Sequence, residues 1–125
     1  KLPNITFLPW LTIQDLNIAI NEADIVLGIF GDSAKVDRII PNKLFQGLAA
    51  KKPVITKDTA TIRRYFSDKD IFLTQNYPEN ITEAIKTLQK NSILREKMSV
   101  AGFNKVTTVY NHQLIAQELL KVLLA

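Results

Sequence analysis

Two apolar runs separated by a proline-started helix constrain this chain more than anything else in it. Ile25-Val26-Leu27-Gly28-Ile29-Phe30 is an apolar run that ends in the turn residues Gly31-Asp32-Ser33. Pro53-Val54-Ile55-Thr56 is a second run, β-branched in the manner of strands buried on both faces of a parallel sheet. Between them, Leu44, Phe45, Leu48 and Ala49 recur at helical spacing behind Pro41. Proline suits a first helical position because its missing N–H has no role there. Strand, polar loop, helix and strand make one βαβ unit. The helix N-terminus then lies at the carboxyl edge of the sheet, where open α/β folds bind ligands.

The remaining segments extend this pattern. Asn4-Ile5-Thr6-Phe7-Leu8 reads as a strand closed by Pro9, and Thr12 with Asp15 resembles a capping box. The helix that follows turns Leu16, Ile18, Ala19 and Ala23 towards a core. Asp58-Thr59-Ala60-Thr61 starts a short helix carrying Ile62, Tyr65 and Phe66, and Ile71–Thr74 reads as a short edge strand. From Pro78 onward the chain is helical, with stripes at Ile81, Ala84, Ile85 and Leu88, then at Ile93, Leu94, Met98, Ala101 and Val106, interrupted by Gly102. A third stripe holds Leu114, Ile115, Leu119, Val122 and Leu123. The expected fold is α/β, a Rossmann-like doubly wound sheet of about four parallel strands with crossover helices and a helical tail. So few strands make a thin core. Residues 1–125 therefore read as one domain, itself a fragment whose first strands lie upstream.

Composition narrows the chemistry. An apolar fraction of 46% and a charged fraction of 22% are ordinary for a globular chain. No apolar run approaches the ~20 residues that span a bilayer. The chain has no cysteine, which excludes disulfides and thiolate chemistry and suits a reducing compartment. A single histidine and no cysteine argue against an all-protein zinc site. The net charge of +4 permits phosphate-bearing partners or an anionic membrane surface, but the basic residues are dispersed, which argues against nucleic acid. Neither the dinucleotide fingerprint, the P-loop nor the nucleophile elbow occurs.

What is left for chemistry is the stretch from Gly31 to Lys43. First-turn amides of a helix lack internal acceptors and sit at the positive end of its dipole, so Asn42, Lys43 and Leu44 form an anion site. Lys35, Arg38 and Lys43 either add full charges around a phosphate or are solvated surface residues. Gln46 lies three residues beyond Lys43 on nearly the same side, facing a ribose or water. Trp10 either stacks on a base or packs. Asp58 and Thr59 leave a strand at the ligand edge and line the cleft, or Asp58 caps a helix instead, and His112 at a helix start reads as exposed or structural.

These segments resemble the nucleotide-sugar-binding half of GT-B glycosyltransferases, specifically the group 1 (family 4) glycosyl transferases. Asn4–Leu8 is similar to that domain's "nV-x-F-L/G" strand and Ala23–Leu27 to its "AD-hydrophobic" strand. Pro41-Asn42-Lys43-Leu44-Phe45-Gln46-Gly47-Leu48-Ala49-Ala50-Lys51-Lys52-Pro53-Val54-Ile55 resembles "P-S-K-L-F-E-x-L-A-A-G-K-P-V-I", the most specific of the matches, and Tyr110-Asn111-His112 resembles the family's ending. The resemblance implies transfer of a sugar from a nucleoside diphosphate sugar to an acceptor, with the donor as substrate and neither metal nor resident cofactor. It implies a donor site at Gly31, Asp32, Ser33, Arg38, Asn42, Lys43, Leu44 and Gln46. It also implies an amino-terminal acceptor domain that this chain lacks, and a cytoplasmic setting compatible with peripheral membrane contact.

The chain departs from the family where two glutamates, spaced Glu-x7-Glu, flank the helix start. Arg38 stands at the first and Gln46 at the second. Gln46 retains a carbonyl that can accept from a ribose hydroxyl; Arg38 cannot imitate an acid, leaving Asp37 or Asp32 as substitutes. Lys52 is read as replacing the family's glycine before Pro53, a structural change. Two alternatives stay open: a nucleotide-sugar epimerase of the same plan, and a nucleotide-binding module without catalysis.

Overall fold

The computed structural model describes residues 2–125. Its centre is the run that starts at Val54: Val54, Ile55 and Thr56 have no exposure to water. They belong to β2 (Val54–Lys57), which pairs in parallel with β1 (Val26–Leu27) and with β3 (Phe72–Thr74), giving the order β1-β2-β3. Val26 faces Val54 and Leu27 faces Ile55, while Ile55, Thr56 and Lys57 register with Phe72, Leu73 and Thr74. The expected edge strand at 71–74 is β3, at the edge.

Alternate residues on a strand point to opposite faces, so β2 feeds two cores. Val54 packs with Leu44, Leu48, Ile62, Phe66, Ile71 and Val106; Ile55 packs with Ala84, Leu88 and Met98. Helices α3 (Asn42–Ala49) and α4 (Ala60–Arg63) thus cover one face and α5 (Pro78–Lys90) the other. The long α6 (Ser92–Thr108) supplies Met98 to one cluster and Val106 to the other. Helix α1 (Ile13–Glu22) precedes the sheet, α2 (Ala34–Arg38) lies between β1 and α3, and α7 (His112–Leu123) ends the chain. The result is the Rossmann-like α/β arrangement expected, with three strands.

Side-chain oxygens set several helix starts, each accepting a first-turn N–H. Thr12 accepts from Asp15, Ser33 from Val36, Thr59 from Ile62, Asn91 from Leu94 and Asn111 from Leu114.

Several expectations need correction. Asn4–Leu8 is not a strand, and Phe7 is 84% and Trp10 100% exposed. A strand needs a neighbour for its backbone groups, and among the described residues none pairs with this segment. Packing therefore does not account for Trp10. The 25–30 run is regular only at Val26–Leu27, although its ladder continues: Gly28 N–H donates to Ile55 O at 2.7 Å and Lys57 N–H to Ile29 O at 3.1 Å. The polar loop after it contains α2, initiated by Ser33. Pro41 is the residue before α3, in an extended conformation, not the first helical residue. Within α1 nothing is fully buried and Ile18 is exposed. Ile93 and the apolar stripe of α7 are exposed as well.

Gly102, expected to interrupt the apolar stripe, is itself buried within α6. A Cβ there would lie 2.5 Å from Leu48 Cδ2 and 2.8 Å from the Asp70 carbonyl oxygen, so α6 packs directly on Leu48 of α3 at this residue. The residue before Pro53 also needs correction. The left-handed position is Lys51, at φ 56°, and the family pattern aligned residue by residue puts its glycine there, not at Lys52. Lys51 N–H donates to Leu48 O and Lys52 N–H to Gly47 O, both at 3.0 Å, which is a Schellman ending whose reversal residue is ordinarily glycine. The exposed Lys51–Glu96 pair at 3.7 Å offsets little of the resulting strain.

Two substitutions test this packing by urea denaturation. Lys51→Gly is expected to raise stability by about 1 kcal/mol through relief of the left-handed strain. Gly102→Ala is expected to lower it by about 1–3 kcal/mol, because backbone and Leu48 must both move.

Candidate functional site

The carboxyl edge of the sheet is built on Thr56 and Lys57. Buried Thr56 ties the end of the β1 run to β2: its Oγ1 accepts from Ile29 N–H at 3.2 Å and donates to Ile29 O at 3.3 Å. The approach is so close that a Cβ on Gly28 would sit 2.5 Å from Thr56 Oγ1. Lys57 follows, its side chain 16% exposed, with Nζ 2.9 Å from the Gly31 carbonyl oxygen and 2.9 Å from Asp37 Oδ1. Gly31 turns at φ 131°, in the region that favours glycine, and its N–H donates to Asn76 Oδ1 at 2.8 Å. Asn76 Nδ2 in turn donates to Asp32 Oδ1 at 2.8 Å. Thr61 Oγ1, from α4, donates to the Asp37 carbonyl at 2.7 Å. The ends of all three strands are thereby linked through the loop after β1.

Of the residues expected from sequence, Gly31, Asp32 and Asp37 belong to this network, and the others stand in distinct states. Both backbone groups of Gly31 are held by protein, and Asp32 and Asp37, the substitutes for the missing glutamate, are bonded to Asn76 and Lys57. Ser33 spends its hydroxyl on Val36 N–H at 3.4 Å. Lys35, Arg38 and Lys43 are exposed and make no ion pair among the described residues. Asn42 and Lys43 open α3 with no side-chain cap, and their N–H groups have no protein acceptor among the described residues. The Leu44 amide differs: it donates to Pro41 O at 3.0 Å, and the Leu44 side chain is core.

Gln46 and Asn42 share a cavity of about 670 Å³ with Ile40, Phe45, Tyr65, Tyr110 and Ile115. Its aromatic wall is tightly knit. The Tyr110 ring lies 5.5 Å from Phe66 and 6.1 Å from Tyr65, and its hydroxyl donates to the Tyr65 carbonyl at 2.9 Å. Burial raises the Tyr110 pKa above the ordinary 10.0, helped by the charge of Asp70 and by Tyr65.

The other candidates serve as structure. Thr59, not the expected Asp58, caps α4, and Asp58 instead grips Arg63 through two bonds of 2.6 and 2.7 Å, which with Asp68 pushes the guanidinium pKa up. His112 is the exposed first residue of α7. Lys57, Asn76 and the tyrosine pair were not anticipated from sequence. The signal for Lys57 and Asn76 was their place at or just after the carboxyl end of a strand, the position that α/β folds turn towards ligands. Among the described residues no group of His, Asp and Glu side chains is placed to hold a metal ion, and no helix is long and apolar enough to cross a membrane.

The family model for glycosyl transferase-like proteins matches residues 1–121. The chain belongs to the glycosyl transferase-like family. Searches among curated proteins and among solved structures returned no match. In this glycosyl transferase-like chain, the most specific sequence segment, Pro41–Ile55, coincides with α3 and the start of β2, the elements that carry Asn42, Lys43 and Gln46.

Tyr110 gives a pH test. A raised pKa means that the folded state favours the protonated, neutral phenol. That contribution to stability is complete below pH 10 and is lost as pH climbs through the folded pKa. Unfolding free energies of the native chain should therefore fall above pH 10 more steeply than those of Tyr110→Phe. At neutral pH the variant should be about 1 kcal/mol less stable for want of its bond to Tyr65.

Proposed function

We propose that this chain is the donor-binding domain of a GT-B glycosyltransferase of group 1 (family 4), which moves a sugar from a nucleoside diphosphate sugar to an acceptor. One observation carries the reading: the N–H groups of Asn42 and Lys43 open α3 without a protein acceptor among the described residues, with Lys43 itself an unpaired cation. Helix-start amides favour an anion, and the charge on a diphosphate grows as the glycosidic bond breaks. Amides and cations fixed at that point stabilise the departing group more than the bound donor. Gln46 supplies a carbonyl for a ribose hydroxyl, and the cavity it shares with Tyr65, Tyr110 and Ile115 has the mostly apolar walls common to small-molecule sites.

In this reading the donor is a substrate and no resident cofactor takes part. Acceptor recognition, and any base or nucleophile, belong to an amino-terminal domain. The exposed apolar residues Phe7, Leu8 and Trp10 support such a partner surface. A second reading is favoured by one observation: Asp37 and Asp32, which would replace the first glutamate, are both already bonded to other side chains. That arrangement suits a module that holds the nucleotide without transferring sugar.

Titration with UDP or GDP, followed by amide NMR, separates these. The amides of Asn42 and Lys43 and the Gln46 side chain should shift. The Leu44 amide, already bonded, should shift less, and Lys43→Ala should weaken binding by roughly tenfold. If saturating nucleotide moves none of these signals, the donor site is wrong. If nucleotide binds but Gln46→Glu alters neither donor affinity nor turnover of the intact enzyme, the non-catalytic module is the better reading.

A further inference from the structure

We propose that Lys57 is a positioning residue for the donor site, holding the loop after β1 and helix α2 that lead into the start of α3, an inference that rests on the donor-site reading above. Lys57 ends the central strand, and its side chain is largely withdrawn from water. A shielded ammonium must find partners, and this one finds them on two separate segments. One is the Gly31 carbonyl in the loop after β1; the other is the Asp37 carboxylate on α2. Each lies 2.9 Å from Nζ.

The same loop is held from the other side. Asn76, beyond β3, accepts from Gly31 N–H and donates to Asp32. Gly31 is thus clamped at both of its backbone groups by side chains from the ends of two neighbouring strands. Asp37 is further fixed by Thr61, and it directly precedes Arg38 and the connection into α3. The ammonium and carboxylate cancel in charge, so the clamp keeps its shape without a bound anion. Removing Lys57 leaves Asp37 and the Gly31 carbonyl without their shared donor, and the loop and α2 lose their common anchor. Lys57 acts through Gly31 and α2 rather than by touching the donor.

The test compares the native chain with Lys57→Met and Lys57→Arg, using UDP and GDP as probes and amide NMR as the readout. In the Met variant, Gly31 and the Asn76 side-chain amide should shift before any nucleotide is added, and diphosphate affinity should fall by about tenfold or more. Arginine can still donate to a carbonyl and a carboxylate, so Lys57→Arg should recover affinity to within about threefold of the native chain. A folded Met variant that binds with native affinity, or an Arg variant as weak as Met, overturns the inference. If the Met variant fails to fold, Asn76→Ser loosens Gly31 from the opposite side. Native affinity in that variant overturns the inference equally, and a similar loss supports it. A native chain that binds neither nucleotide sinks the donor reading and this inference together, whereas unchanged binding in the variants sinks this inference alone.

Discussion

Because Val54, Ile55 and Thr56 are wholly withdrawn from water, both faces of the sheet have to be covered, and the order of helices along the chain follows from that need. Val54 demands the α3 and α4 side, Ile55 demands α5, and α6 is long enough to serve both. Thr56 adds a directional element. With no exposure and its hydroxyl bonded to both backbone groups of Ile29, it sets how close β1 and β2 lie at the carboxyl edge. Gly28 is the residue that tolerates this closeness. The site is therefore a product of the same strand that organises the core.

Where hydrophobic period and local chemistry agreed, the fold was legible in the sequence. The Pro41–Thr56 segment shows this well: the spacing of Leu44 and Leu48, then the β-branched run, left little room for another arrangement, and α3 and β2 form as expected. Capping chemistry at Thr12 was equally readable, whereas the cap of α4 is Thr59 and not Asp58, the residue the sequence suggested. Asn4–Leu8 was not, because strand propensity is a statement about pairing, and the paired neighbour is not a property of the segment itself. The α7 stripe teaches the same point for helices: its periodicity is amphipathic, yet its apolar residues meet water among the described residues.

The site was half legible. Helix-start chemistry pointed to Asn42, Lys43 and Leu44; among the described residues the first two amides meet no protein acceptor, whereas the third donates to Pro41 O. The polar loop and the family resemblance pointed to Gly31, Asp32 and Ser33, whose groups are occupied by Asn76, Lys57 and Val36. Lys57 and Asn76 escaped because each becomes significant only when a third element comes close, at separations of 26 and 45 residues from Gly31. No local pattern encodes such a meeting. Position relative to a strand end does, and it is the more general guide.

The outer edge of β1 has a consequence for further pairing. Among the described residues β1 pairs on one side only, and exposed Leu27 lies on it. A strand with one unsatisfied row of amides and carbonyls is a template for a further strand, and β1, at two residues, keeps that row short. The brevity of that row limits what a second strand could gain there, so the open edge invites only a short added strand.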